Sequence, residues 1–127
     1  MKGQFNQHLL DNQMMVKGHT EHKPSKVSSS VVMNNLVFSG DSNGRLIEWN
    51  SQGKRMSLDF GKVHEGEITC LGGYDINLVS GDSRGVVKHW STETKECIFE
   101  YKDVFNGPLK HLAVADDLFY VSDTDGN

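Results

Sequence analysis

Ser39-Gly40-Asp41-Ser42-Asn43-Gly44-Arg45-Leu46-Ile47-Glu48-Trp49 returns as Ser80-Gly81-Asp82-Ser83-Arg84-Gly85-Val86-Val87-Lys88-His89-Trp90. The offset is 41 residues, from 39 to 80 and from 49 to 90. A clipped third copy, Ser122-Asp123-Thr124-Asp125-Gly126, keeps the step, since Gly44, Gly85 and Gly126 are evenly spaced. Self-similarity at a period of roughly 20–50 residues marks a repeat architecture. Within each copy a short apolar run meets a turn of Asp, Ser and Gly and then a second apolar run, which is the pattern of a hairpin.

Working outward, each repeat divides into four short strands. In the first these are Val27 to Met33, Leu36 to Ser39, Leu46 to Trp49 and Arg55 to Phe60, with turns at Asn34-Asn35, Asp41 to Gly44 and Ser51 to Gly53. In the second they are Ile68 to Leu71, Asn77 to Ser80, Val86 to Trp90 and Cys97 to Tyr101. Turns are expected there at Gly72-Gly73-Tyr74-Asp75, Asp82 to Gly85 and Thr92 to Lys95. The third offers Leu109 to Val114 and Leu118 to Val121, and then stops. None of these runs has the length or the 3.6-residue spacing of a helix. Residues 4–16 are open between a strand, a short helix and disorder. Val31-Val32, Leu36-Val37-Phe38 and Val86-Val87 are apolar on both faces, so each sheet is expected to lie between neighbours like itself. The expectation is an all-β chain of two full four-stranded units and half a third.

Composition narrows the function classes. The 127 residues carry 13 basic and 17 acidic side chains, a formal net charge of −4. That balance does not favour a nucleic-acid partner, whose affinity comes from clustered Lys and Arg. No apolar run approaches the roughly 18 residues of a membrane helix, and the amino terminus lacks the apolar core of a secretory signal. Cys70 and Cys97 form no CxxC pair and are read as two reduced, buried thiols of a cytoplasmic protein.

The residues resemble the WD40 family of β-propellers. Gly18-His19 and Val63-His64 stand where the family's Gly-His opens a repeat, and Trp49-Asn50 and Trp90-Ser91 stand where Trp-Asp closes it. The resemblance spans about residues 18–126. It implies blades at about 18–60, 61–101 and 102–127, the last cut off, after a lead-in at 1–17 that is a strand or disordered. It also implies a hydrogen-bonded structural tetrad in each blade, which satisfies buried polar groups in a chain. Matched by position, that tetrad takes His19, Ser39, Asn43 and Trp49 in the first blade. In the second it takes His64, Ser80 and Trp90, with Arg84, which cannot accept a hydrogen bond, at the acidic position. In the third it has Asp125 but Val121 at the Ser position. Gly61 to Thr69 and Pro108 to Val114 are similar to blade junctions of the actin-interacting protein 1 family, which assists cofilin in dismantling actin filaments.

Chemistry is sparse. Asp41-Ser42-Asn43-Gly44 and Asp123-Thr124-Asp125-Gly126 look like calcium loops, but the twelfth position of the first is Gln52 rather than an acid, so turns are the better reading. His19 and His22 are three apart beside Pro24 and do not form a zinc motif. No nucleophile elbow, P-loop or dinucleotide fingerprint occurs. No catalytic residue, metal or cofactor is expected. Instead the resemblance implies a protein-binding scaffold whose loops gather Glu21, Lys23, Ser42, Glu65, Glu67, Ser83 and Arg84 on one face. Its partners are expected to be other proteins, actin and cofilin among the candidates. A closed propeller has about four to eight blades, so the chain is expected to be a fragment of a longer propeller, the alternatives being completion by assembly with another chain or an open stack of blades.

Overall fold

In a computed structural model the described residues are 26–33, 35–50, 55–102, 105, 107–115 and 118–123, with Val114 and Ala115 described in backbone only. Ten strands follow one another: β1 Val27–Met33, β2 Leu36–Asp41, β3 Arg45–Asn50, β4 Arg55–Lys62, β5 Ile68–Tyr74, β6 Asn77–Asp82, β7 Val87–Ser91, β8 Cys97–Tyr101, β9 Leu109–Ala115 and β10 Leu118–Asp123. They form two four-stranded sheets, β1-β2-β3-β4 and β5-β6-β7-β8, and a two-stranded sheet of β9 and β10. Every pairing is between antiparallel neighbours in sequence. No helix occurs among the described residues, so none there is long and apolar enough to cross a membrane.

The three sheets stack in chain order, β5 lying on β1 and β2, and β9 on β5 and β6. Side chains alternate across each inner strand, so both faces must be covered. In β2, Phe38 enters a cluster with Met33, Leu46, Ile68, Leu78 and Trp90 between the first two sheets. Its neighbour Val37 points the other way, to Ile47 and Trp49. In β6, Leu78 faces back to the first sheet, while Val79 faces on to Cys70, Val87 and Leu109. Burying a side chain of this size contributes roughly 1.5–3 kcal/mol, and these are fully buried or nearly so.

Two glycines let the sheets close on each other. A Cβ at Gly40 would lie 2.6 Å from Ile68 Cγ2, and one at Gly81 would lie 2.7 Å from Leu109 Cδ1. Each is the middle residue of Ser-Gly-Asp, and each receives the first strand of the next sheet. A bulge recurs at the matching place in all three sheets, where Val27, Ile68 and Leu109 face Asp41, Asp82 and Asp123.

Three details differ from the sequence reading. Gly72 and Gly73 lie inside β5, and the turn follows at Asp75 and Ile76, with Asp75 at φ 57°. Gly73 is small for packing, because a Cβ there would run into the Met33 side chain. The turn after β2 falls at Asp41 to Gly44 as expected, closed by Gly44 N–H donating to the Asp41 carbonyl at 3.1 Å, with Gly44 at φ 86°. The third strand of the second sheet begins at Val87 rather than Val86, whose N–H donates to the Asp82 carboxylate. Cys70 is buried, but Cys97 is exposed, because β8 is the outermost strand of its sheet and is exposed along its whole length.

Candidate functional site

A buried polar chain crosses the second sheet. Trp90 Nε1–H donates to Ser80 Oγ at 2.9 Å. Ser80 Oγ lies 2.7 Å from His64 Nε2, and His64 Nδ1 lies 2.8 Å from Asp82 Oδ2. Burial lowers the His64 pKa below its ordinary value of 6.5, outweighing the opposing pull of the Asp82 carboxylate. The ring is therefore neutral at pH 7, accepting from Ser80 through Nε2 and donating to Asp82 through Nδ1–H. The other Asp82 oxygen accepts the backbone N–H groups of Arg84 at 2.8 Å and Val86 at 2.9 Å. Every member has a partner, as a buried network requires.

The acidic position is thus Asp82 rather than Arg84. The reading that placed it at Asn43, Arg84 and Asp125 counts back from the turn glycine and lands two residues late. Counting from the serine finds Asp41 and Asp82, each two residues beyond Ser39 and Ser80. The signal was present as Ser-Gly-Asp in both copies. In the first sheet Trp49 Nε1–H donates to Ser39 Oγ at 2.8 Å, and Asp41 Oδ1 accepts Asn43 and Arg45 N–H. His19 lies outside the described residues, as do Gly18, Glu21, Lys23 and Asp125. In the third sheet the matching residue is Asp123, which is buried.

The position of His64 is also visible in the third sheet. A Cβ at Gly44 would collide with the carbonyls of His64 and Gly66; one at Gly85 would crowd those of Phe105 and Gly107. Phe105 therefore stands where His64 stands one repeat earlier, and Val121 stands where Ser80 stands. The third sheet fills the same corner with two apolar side chains.

Above this chain the turns form a shared face. Ser42 Oγ accepts Lys26 N–H at 3.0 Å, and Ser83 Oγ accepts Glu67 N–H at 3.1 Å. Reciprocal backbone bonds of 2.8 Å, Ser42 N–H to Lys26 and Ser83 N–H to Glu67, complete the two clasps. Lys26, which the sequence reading passed over, is the first blade's counterpart of Glu67. Glu65 and Arg84 line one cavity of about 410 Å³ with Lys88, Glu100 and Lys102, next to His64 and Asp82. Glu65 is 3.7 Å from Lys62, and Lys88 Nζ donates to the Val63 carbonyl. Charges of both signs alternate here, which suits a partner surface of mixed charge better than a bare anion. The Asp41 and Asp82 carboxylates take backbone N–H bonds from their own turns. No group of three or more His, Cys, Asp or Glu able to hold a metal ion occurs among the described residues.

Solved structures share this arrangement. A computationally designed protein, Ika8, superposes with a TM-score of 0.70 at 24% identity, over 79% of this chain and 31% of that one. A chain in the mitotic checkpoint complex gives 0.67 at 18% identity, over 73% and 29%. Saccharomyces cerevisiae Sqt1 gives 0.61 at 17% identity, over 69% and 23%. The fold is that of WD40-type β-propeller blades. This chain spans less than a third of the length of each of these structures. No family model matches the sequence, and no curated protein matches it. With two four-stranded blades and one two-stranded sheet, the described residues form an open stack rather than a closed propeller.

Proposed function

We propose that the chain serves as a non-enzymatic protein-interaction scaffold, its loop face contacting a partner through Glu65, Glu67, Ser83 and Arg84. The observation that carries this reading is the pair of equivalent clasps, Lys26–Ser42 and Glu67–Ser83. They hold the turns of successive blades in one repeated geometry. Rigid turns on a sheet scaffold are suited to recognition because little conformational entropy is lost on contact. The buried His64, Ser80, Trp90 and Asp82 are structural in this reading. One of the similar structures is a chain within a multiprotein assembly, which agrees with a partner that is another protein.

The test is charge reversal on the loop face. Glu65→Lys with Glu67→Lys is expected to weaken capture of a protein partner at least tenfold, as loss of complementary charge at an interface does. Glu96→Lys, at the exposed turn before β8, is expected to leave it unchanged. Equal effects from both would remove the loop face from consideration. A narrower reading, disassembly of actin filaments with cofilin in the cytoplasm, rests on the resemblance at Gly61 to Thr69 and Pro108 to Val114. Co-sedimentation with filaments, with and without cofilin, tests it, and absence of the chain from both pellets would dismiss it.

A further inference from the structure

The turn between β7 and β8 is held from two sides. Ser91 Oγ accepts the Glu93 and Thr94 N–H groups, each at 3.2 Å, and the Ser91 carbonyl accepts Lys95 N–H at 2.9 Å. Thr92 fastens the turn to the one between β5 and β6, donating to the Ile76 carbonyl through its N–H at 2.8 Å and its hydroxyl at 3.1 Å. This geometry leaves Lys95 at φ 64°, in the left-handed region. Asp75 is the other non-glycine residue there among the described residues, and its short polar side chain tolerates that conformation. Lysine does not share the tolerance, and glycine would hold the place without strain. A left-handed backbone at such a residue points to a task for its side chain.

That side chain crosses to the neighbouring blade. Lys95 Nζ donates to Glu48 Oε1 at 2.7 Å, across 47 residues of sequence. Glu48 lies on β3, opposite Phe38 on β2 and Leu58 on β4. Strand alternation puts it on the face of Leu46, which packs between the first two sheets. The Glu48 side chain is 6% exposed, whereas that of Lys95 is 35% exposed. The pair thus joins a buried carboxylate of one blade to a cation of the next that solvent still reaches. A carboxylate buried at this place without a cation would be strongly unfavourable. One repeat on, the place of Glu48 is taken by His89, whose ring bonds Asn77 within its own sheet at 2.9 Å. The charged tie between sheets therefore belongs to the first seam in particular.

We propose that Lys95 is a charge latch on the seam between the first and second blades. Its ammonium neutralises Glu48 and holds the β7–β8 turn against the first sheet. Loss of that charge, at the exposed end of the pair, leaves Glu48 to draw water inward. The seam then opens while each sheet keeps its own ladder of hydrogen bonds, a local opening rather than unfolding. Trp90 reports on it, because its ring lies in the same seam, edge-on to Phe60 of β4 at 5.6 Å. Trp49 is the internal control. It packs with Val37 and Ile47 on the far face of the first sheet and donates to Ser39 as Trp90 does to Ser80. The latch does not rest on the loop-face reading.

The experiment is solvent exchange of the two indole N–H groups, followed by nuclear magnetic resonance on the full chain. Lys95→Met keeps the length of the side chain without its charge. It is expected to speed Trp90 exchange roughly tenfold or more, the worth of a hydrogen bond to a charged group, with Trp49 nearly unchanged. Lys95→Gly relieves the backbone and removes the ammonium together, and is expected to act in the same direction. Lys95→Arg keeps the charge and is expected to leave both rates close to those of the unaltered chain. Glu48→Met with Lys95→Met removes both charges and is expected to slow Trp90 exchange again, because an apolar pair costs the seam little. The proposal is overturned if Lys95→Met leaves Trp90 exchange unchanged, or if Lys95→Gly slows it. It is also overturned if both indoles speed up equally, which would make the pair a contribution to global stability alone. A double variant as fast as Lys95→Met would overturn it too, since the buried carboxylate would then not be what opens the seam.

Discussion

In the second blade, the corner between the entry loop and the second strand holds His64 against Ser80 at 2.7 Å. In the third sheet the same corner holds Phe105 and Val121, both packed on the cluster of Cys70, Val79, Val87 and Leu109. The backbone around the two is alike, down to the glycine that each entry loop presses on and the bulge opposite each aspartate. The comparison teaches that the histidine and the serine are exchanged together, while the buried aspartate is kept as Asp123. A buried donor left without its acceptor costs about 1–3 kcal/mol, whereas replacing both partners by apolar groups is nearly neutral. The fold can therefore be held at this corner by either chemistry, provided the pair is consistent.

The largest break in that comparison is Trp90→Ala. It empties the space against Phe60 and removes the donor to Ser80, and is expected to lower unfolding free energy by about 3–5 kcal/mol in urea titration. Next is His64→Ala, which leaves Ser80 and Asp82 facing a cavity and is expected to cost about 2–4 kcal/mol. Combining His64→Phe with Ser80→Val imports the third sheet's pair into the second blade. The double change is expected to cost less than the sum of the two singles by about 1 kcal/mol, since contacting residues couple. It will not restore full stability, because Trp90 keeps an unpartnered N–H. Strict additivity would show that the two positions do not act as a pair.

The reverse exchange sharpens the same point at smaller cost. Phe105→His places an imidazole beside Val121, and is expected to destabilise by about 1–3 kcal/mol in the same titration. An unchanged midpoint would mean that the third corner is open enough for water to serve the ring.

The repeat, the four-strand units and the all-β stack were legible in the sequence, because a period of 41 with matched turns at Asp41 to Gly44 and Asp82 to Gly85 admits few other readings. Val31-Val32 correctly announced a sheet covered on both faces, whereas Val86 lies in the turn before β7. What was not legible depends on contacts distant in sequence. Gly72-Gly73 looks like a turn until Met33 is known to press on Gly73. The acidic member of the buried chain was misplaced because Arg84 and Asn43 sit in the turn beside the glycine. The true residue, Asp82, lies two positions after Ser80, and only its 2.8 Å contact with His64 separates it from the turn residues that follow. Phe105 carries no family signature; it lies one 41-residue step after His64, and its position against Gly85 bears out that correspondence.

The titration of His64 offers a finer probe of the second corner. Burial lowers its folded pKa below the ordinary 6.5. The unfolded chain therefore takes up a proton first as pH falls, and the folded state loses stability from about pH 6.5 down toward the lowered folded value. Above that range the contribution is fully present. His64→Phe with Ser80→Val is expected to flatten this part of the pH profile, measured as urea midpoint against pH. A profile unchanged by the exchange would assign the slope to other groups.

The smallest effect is expected at Arg84, and it separates backbone from side chain at the same turn. Asp82 holds this turn through the Arg84 backbone N–H at 2.8 Å, a donor that any residue except proline supplies. The Arg84 side chain is exposed at the edge of the mixed-charge cavity. Arg84→Ala is therefore expected to move the urea midpoint by no more than about 0.5 kcal/mol. A loss above 1 kcal/mol would show that the guanidinium is tied to the Glu65 and Glu100 carboxylates. The loop face would then be a second structural network coupled to the His64 corner, and not a surface free to meet a partner.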